Sequence, residues 1–167
     1  NTQEALNYKK KYNQAKNRYE LYKLILDDFL YFEKSLKFDL EQIYMSLAFK
    51  LKNEPGSLSY YDLDIEIENI SSSIKINHNN PDILKALLSE NSLIKFNNSN
   101  KVIFKNDNLM DYLTANYIYY RPDFDPNKLK IDTLKNLNWR SVFLFLGDIS
   151  KEKLGRNDKF RENIYNN

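Results

Sequence analysis

The chain has no cysteine, one histidine, three glycines and four prolines among its 167 residues. Without thiols it can form no disulfide, no thiolate nucleophile and no cysteine-ligated zinc site. His78, standing alone, cannot supply the paired imidazoles of most histidine metal sites. So few glycines and prolines argue against a loop-rich or all-β build, which needs turn residues far more often. No apolar run approaches the roughly 18 residues of a spanning helix. The polar start Asn1-Thr2-Gln3-Glu4 is unlike a signal peptide. The expectation is a cytoplasmic protein that does not engage a membrane. An excess of charge of one sign is missing too: 25 Lys and Arg face 23 Asp and Glu, a net of +2. That balance gives no broad positive field for a phosphate backbone, so nucleic acid is not an expected partner.

What is present is apolar material, 42% of the residues, with 14% aromatics. That is enough for a core, and its spacing is mostly helical. Residues 3–16 are polar and helix-compatible, a peripheral helix or the tail of a preceding domain. From Asn17 to Lys34, Leu21, Leu24, Ile25, Phe29 and Phe32 recur at intervals of three and four. Asn17 is placed to cap this helix, with Glu20 completing a capping box. A second helix spans about 39–52 with the stripe Leu40, Ile43, Tyr44, Leu47, Ala48 and Leu51, and Asp39 at its cap. Pro55-Gly56 ends it. Ser59 is the expected cap of a third helix over about 60–70, although Ile65 and Ile67 alternate with charges and leave a strand open. Residues 71–80 read as loop. Pro81 opens a short helix carrying Ile83, Leu84, Leu87 and Leu88. Leu93–Phe96 and Lys101–Lys105 flank the turn run Asn97-Asn98-Ser99-Asn100 and predict a β-hairpin. A helix over 108–120 follows, stopped at Arg121-Pro122. Further helices are expected near 126–136, 138–147 and 151–164. Helix, helix, hairpin is the winged-helix order, with the hairpin as the wing. The expected fold is therefore mainly α: a helical bundle at 1–55, a winged helix with a small β-hairpin at 56–121, and the start of a further helical domain at 122–167.

The run Val102-Ile103-Phe104-Lys105-Asn106-Asp107-Asn108-Leu109-Met110-Asp111-Tyr112-Leu113-Thr114-Ala115 resembles the winged-helix motif of NACHT and related STAND NTPases. Phe104, Asp111, Tyr112, Leu113 and Ala115 fall where that motif places its aromatic, acidic, aliphatic and small positions. Asn17–Tyr22 is similar to the start of the family's helical lid, and Phe38–Ile43 through Leu47-Ala48 to its second lid helix. Trp139–Gly147 is similar to the tryptophan-led helix that opens its superhelical region. The phosphate loop and the acidic strand end that holds Mg²⁺ do not occur in this chain.

The resemblance thus implies a regulatory segment with no catalytic residues and no cofactor of its own. In the family, such a segment works against the ATPase core of the same parent protein. It closes over bound ADP at rest and controls oligomerisation when ATP signalling begins, in settings such as bacterial defence. Asn106 stands where the family carries a diphosphate-contacting histidine. It and Lys105 are therefore the implied nucleotide-facing residues, with Phe104, Asp111, Tyr112, Ala115 and Trp139 as motif and structural positions.

Plainer readings stand beside these. Asp111, the pair Asp27-Asp28 and Asp123/Asp125 read as solvated or capping carboxylates, Asp111 as an anchor between wing and helix. His78, among asparagines, reads as exposed. Trp139 and Phe143, one turn apart, read as core. Tyr60, Tyr61, Tyr117, Tyr119 and Tyr120 could stack on bases, but the charge balance favours a structural role. The alternatives in function are a winged-helix DNA-binding module and a plain helical protein-interaction domain. For the first, the helix at 81–90 offers only Lys85 beside Asp82 and Glu90.

Overall fold

A computed structural model describes residues 11–33, 35–74, 76–121 and 137–152. The expected helix at 126–136, most of that at 3–16 and nearly all of that at 151–164 lie outside the described residues. The described elements are α1 (Arg18–Phe29), a 3₁₀ turn (Leu30–Glu33), α2 (Lys37–Asn53), α3 (Leu63–Ser73) and α4 (Asn80–Leu87). Then come the strands β1 (Ile94–Phe96) and β2 (Val102–Phe104), α5 (Asp107–Tyr120), a 3₁₀ turn (Leu137–Trp139) and α6 (Arg140–Glu152). The fold is mainly helical with one small antiparallel hairpin, as expected.

Asn17 caps α1 as its position suggests, its side-chain oxygen accepting from the Glu20 amide at 2.8 Å. Glu20 departs from the expected capping box: its carboxylate accepts from the Lys16 amide, one residue before the cap. The buried face of α1 also differs from expectation. Tyr19, Leu26 and, just beyond the helix, Leu30 are buried, whereas Phe29 is 43% exposed. The cause is Tyr19 and Tyr22, which turn inward with Leu26 and set the helix about its axis. Tyr22 packs edge-on to Phe145, with ring centroids 5.3 Å apart.

In α2 the whole expected stripe from Leu40 to Leu51 is buried. Its start is two residues earlier than expected, at Lys37, so Asp39 lies inside the first turn and is no cap. Gly56, at φ +74°, turns the chain after Pro55, a left-handed conformation that a side chain would strain. Ser59 does not cap α3 either. Its hydroxyl donates to Asp62 Oδ2, and its backbone forms a β-bridge with Lys101. Residues 63–73 are helical throughout, so the strand alternative at 65–67 and the loop at 71–73 are both overturned; Leu63, Ile67 and Ile70 bury one face. Asn79 caps α4 through the Asp82 amide, with Pro81 in the first turn, where a missing N–H costs nothing.

The hairpin pairs Ile94 with Phe104, Lys95 with Ile103 and Phe96 with Val102. Asn97 Oδ1 accepts from the Ser99 and Lys101 amides, and Asn100 takes φ +54°, which asparagine tolerates better than most residues. The Ser59 bridge adds a stub beside β2. From α2 onward the order is therefore helix, bridge, helix, helix, hairpin.

The central element is α5, which packs most extensively on α2 and then on α6. Residues 111–116 are buried without a break. Polar side chains there need internal partners. Thr114 donates to the Met110 carbonyl at 2.8 Å, and Asn116 donates to the Tyr112 carbonyl at 2.7 Å. Phe49 on α2 stacks on Tyr117 at 4.5 Å. A single hydrophobic cluster runs from Tyr19 through Leu40, Phe104 and Leu113 to Ile149, crossing the positions 55/56 and 121/122 where domains were expected to divide.

Candidate functional site

Val102 and Phe104 face the core because side chains alternate along β2, which fixes where the chain leaves the hairpin. Lys105 still bonds the hairpin, its amide donating to the Leu93 carbonyl at 2.9 Å. Asn106 then begins α5 as its N-cap, in extended conformation, with Oδ1 accepting from the Leu109 amide at 3.0 Å. Helix α5 begins at Asp107, one residue before the expected start.

Five of the seven singled-out residues are interior. Phe104, Asp111, Tyr112, Ala115 and Trp139 are each 6% exposed or less. Tyr112 contacts Tyr19 at 5.3 Å and Phe145 at 5.7 Å, joining α1, α5 and α6. Burial raises its phenol well above the ordinary value, so it is neutral at any physiological pH. Trp139 meets Phe49 edge-on at 6.4 Å and Phe143 at 6.3 Å, the core role its spacing suggested. The other two, Lys105 and Asn106, are exposed. Lys105 Nζ donates to the Glu90 carbonyl at 2.7 Å. Asn106 uses its oxygen as the cap, which leaves the amide nitrogen as its outward donor.

Asp111 is not the solvated carboxylate expected. Lys52, in the last turn of α2, brings Nζ to 2.5 Å from Asp111 Oδ1, and both side chains are at least nine-tenths buried. The contact lacks the alignment of a directed hydrogen bond, so attraction between charges holds it. Loss of water around Asp111 raises its pKa, and the nearby Lys52 opposes that rise without cancelling it. The expected anchor was between wing and helix; the contact Asp111 makes instead ties α5 to α2. The pair borders a cleft of about 640 Å³ whose lining also includes Gly56, Phe104, Met110 and Trp139. Three singled-out residues thus share one cleft, Phe104, Asp111 and Trp139, and neither Lys105 nor Asn106 lines it.

A second buried carboxylate escaped the sequence reading. Asp39 is 1% exposed and accepts from the backbone amides of Asn77 at 3.0 Å and His78 at 2.9 Å. His78 Nδ1 lies 2.6 Å from the same oxygen, so the ring is half-buried against Asp39 and not free in solvent. Among the described residues, no group of three acidic or histidine side chains could hold a metal ion. No described helix is long and apolar enough to cross a membrane. No protein-family model, curated protein or solved structure matches the chain.

Proposed function

We propose that this chain is the regulatory lid and winged-helix segment of a STAND, NACHT-like signalling NTPase. Its partner is the ATPase core of the same parent protein, where ATP and ADP bind. The observation that carries the reading is the unit built from residues 102–115. The resembling motif forms one strand, one capped turn and one largely buried helix, with Phe104, Asp111, Tyr112 and Ala115 interior and Lys105 and Asn106 in the exposed run 105–108. The α5 N-terminus beside Asn106 carries the positive end of the helix dipole, suited to an anion such as a diphosphate. Asp107 and the engaged amine of Lys105 make this a modest attraction, enough to bias a resting state without locking it. Release of the contact on nucleotide exchange would free the segment to move and the parent to oligomerise, a two-state element biased by nucleotide. A role in bacterial defence follows from the same resemblance.

The test needs the parent. A phosphate loop in the few hundred residues encoded upstream supports the reading, and its absence there ends it. Within the parent, Asn106→Asp keeps an oxygen to cap α5 but replaces the outward amide donor with a negative charge. It should leave thermal stability intact, loosen ADP retention and raise basal activity. Unchanged ADP release would make Asn106 a helix cap and nothing more. The DNA-binding reading has less behind it, since Lys85 is the one basic residue among the exposed residues of and just after α4, beside Asp82 and Glu90.

A further inference from the structure

Three exposed large side chains cluster where the chain enters α3. Tyr61 is 77% exposed, Ile65 60% and Tyr60 48%. The backbone at Ser59 and Tyr60 is tied to the hairpin. The Tyr60 amide donates to the Asn100 carbonyl at 2.9 Å, and the Ser59–Lys101 bridge ties the preceding residue to the hairpin. Tyr60 stands edge-on to Phe96, with centroids 5.1 Å apart and planes at 74°. Tyr61 meets Tyr60 at 5.6 Å and 87°. Two neighbouring rings at right angles, largely free of the core, leave aromatic faces open to solvent.

The helix that follows these rings carries charge of one sign only. Helix α3 reads Leu-Asp-Ile-Glu-Ile-Glu-Asn-Ile-Ser-Ser-Ser, with no lysine or arginine. Glu66 is taken by Lys50. Asp64 and Glu68, one turn apart and both exposed, form no ion pair among the described residues. Like charges at that spacing oppose the helix they sit on. Asp62 stays ionised through the Ser59 hydroxyl, and Lys101 on the hairpin partly offsets it. Lys101 is half-buried, and Lys95 is exposed on the strand away from the Ser59 bridge.

We propose that the face formed by Tyr60, Tyr61 and Ile65, with Asp64 and Glu68 at its rim, docks a basic peptide segment of a partner protein. That segment carries arginine or lysine between apolar side chains. The open tyrosine faces attract such cations through the ring quadrupole, the two carboxylates pair with them, and Ile65 takes the apolar side chain. The same carboxylates repel a phosphate backbone, so the exposed tyrosines are not a base-stacking platform. The proposal is independent of the nucleotide switch, since it uses α3 and the hairpin tip and not the start of α5.

The test uses the whole chain and a labelled peptide of alternating arginine and leucine, read by fluorescence anisotropy near physiological salt. Its controls are a glutamate–leucine peptide and an oligodeoxythymidine of equal length. The basic peptide should bind saturably and the two controls should not. Asp64→Lys with Glu68→Lys should weaken binding by about tenfold or more, and Tyr61→Ser with Ile65→Ser should do likewise. Glu54→Lys with Asp148→Lys makes the same net charge change elsewhere and should leave affinity within about twofold if the site is local. All these positions are exposed or half-buried, so thermal midpoints should hold. Equal losses from the two charge-reversal pairs would reduce the effect to net charge and overturn the proposal. Oligodeoxythymidine binding as tight as the peptide, or self-association of the chain lost on Tyr61→Ser, would overturn it as well.

Discussion

Two buried aspartates in this molecule are held by opposite means. Asp39, at the start of α2, is ringed by directed donors: two backbone amides, the Asn77 side-chain amide at 3.4 Å and the His78 ring. Asp111, in the middle of α5, faces one lysine without an aligned bond. The first arrangement pins a loop, residues 76–79, onto a helix and depends on backbone amides that side-chain exchange, proline aside, leaves in place. The second joins two helices through a point charge on a flexible stem, a pairing that apolar side chains of similar size could replace. The difference shows which buried charge specifies local structure and which tolerates exchange.

The largest expected effect lies at the lysine pair. Asp111→Ala leaves Lys52 buried and alone and should cost about 3–5 kcal/mol, measured by denaturant unfolding. Lys52→Met combined with Asp111→Leu should recover that loss and land near wild type or above it, by up to about 1–4 kcal/mol. A double variant as unstable as Asp111→Ala would show that the pair supplies more than charge neutralisation and would erase the contrast with Asp39. At the other site, Asp39→Leu should cost about 1–3 kcal/mol for each amide left unpaired. No companion substitution at His78 should restore it, because the amides remain; full rescue by His78→Leu would break the comparison from that side.

A pH series sharpens it further. The folded pKa of Asp111 is raised above its unfolded value. The stabilisation from its protonation is therefore complete below the ordinary aspartate value of about 3.9 and is lost as pH rises through the folded value. Asp111→Asn should flatten that part of the stability profile, and an unaltered slope would contradict desolvation as the cause.

The smallest effect is expected at a half-buried carboxylate of the opposite sign. Burial alone would raise the pKa of Asp28, but hydrogen bonds from Lys11 and Tyr12 outweigh it and the pKa is lowered. Its contribution is present above the unfolded value and lost as pH falls through the folded one. Tyr12→Phe should therefore destabilise by about 0.5–1.5 kcal/mol at neutral pH, with the difference shrinking in acid. A pH-independent difference would assign the loss to packing of the ring.

Much of this architecture is local, and locality made it legible. Asn17 caps a helix through an amide three residues away, and Asn97 and Asn100 build a turn from their own neighbours. The stripe of α2 is an i, i+3, i+4 pattern that any burying partner would select. The same logic marked Trp139 and Phe143 as core. Where locality offered two answers, the reading failed. Ser59 looked like the cap of the third helix, but it is drawn into a bridge with Lys101 from the hairpin. In α1, tyrosines could count as apolar or polar, and contact with Tyr112 and Phe145 decided that Tyr19 and Tyr22 turn inward.

The candidate site divides along the same line. The sequence by itself determined that Phe104 precedes a capped helix, that Asn106 stands at its mouth and that Asp111 follows about a turn later. Only the tertiary structure decided that Asp111 meets Lys52, that Asp39 meets His78 and that Tyr61 is left facing solvent. Each of these depends on two elements arriving side by side. Backbone hydrogen bonding and side-chain periodicity act within a few residues and leave a trace in the local order of residue types. An ion pair between helices is selected by distance and lost water, and leaves no trace until the helices pack.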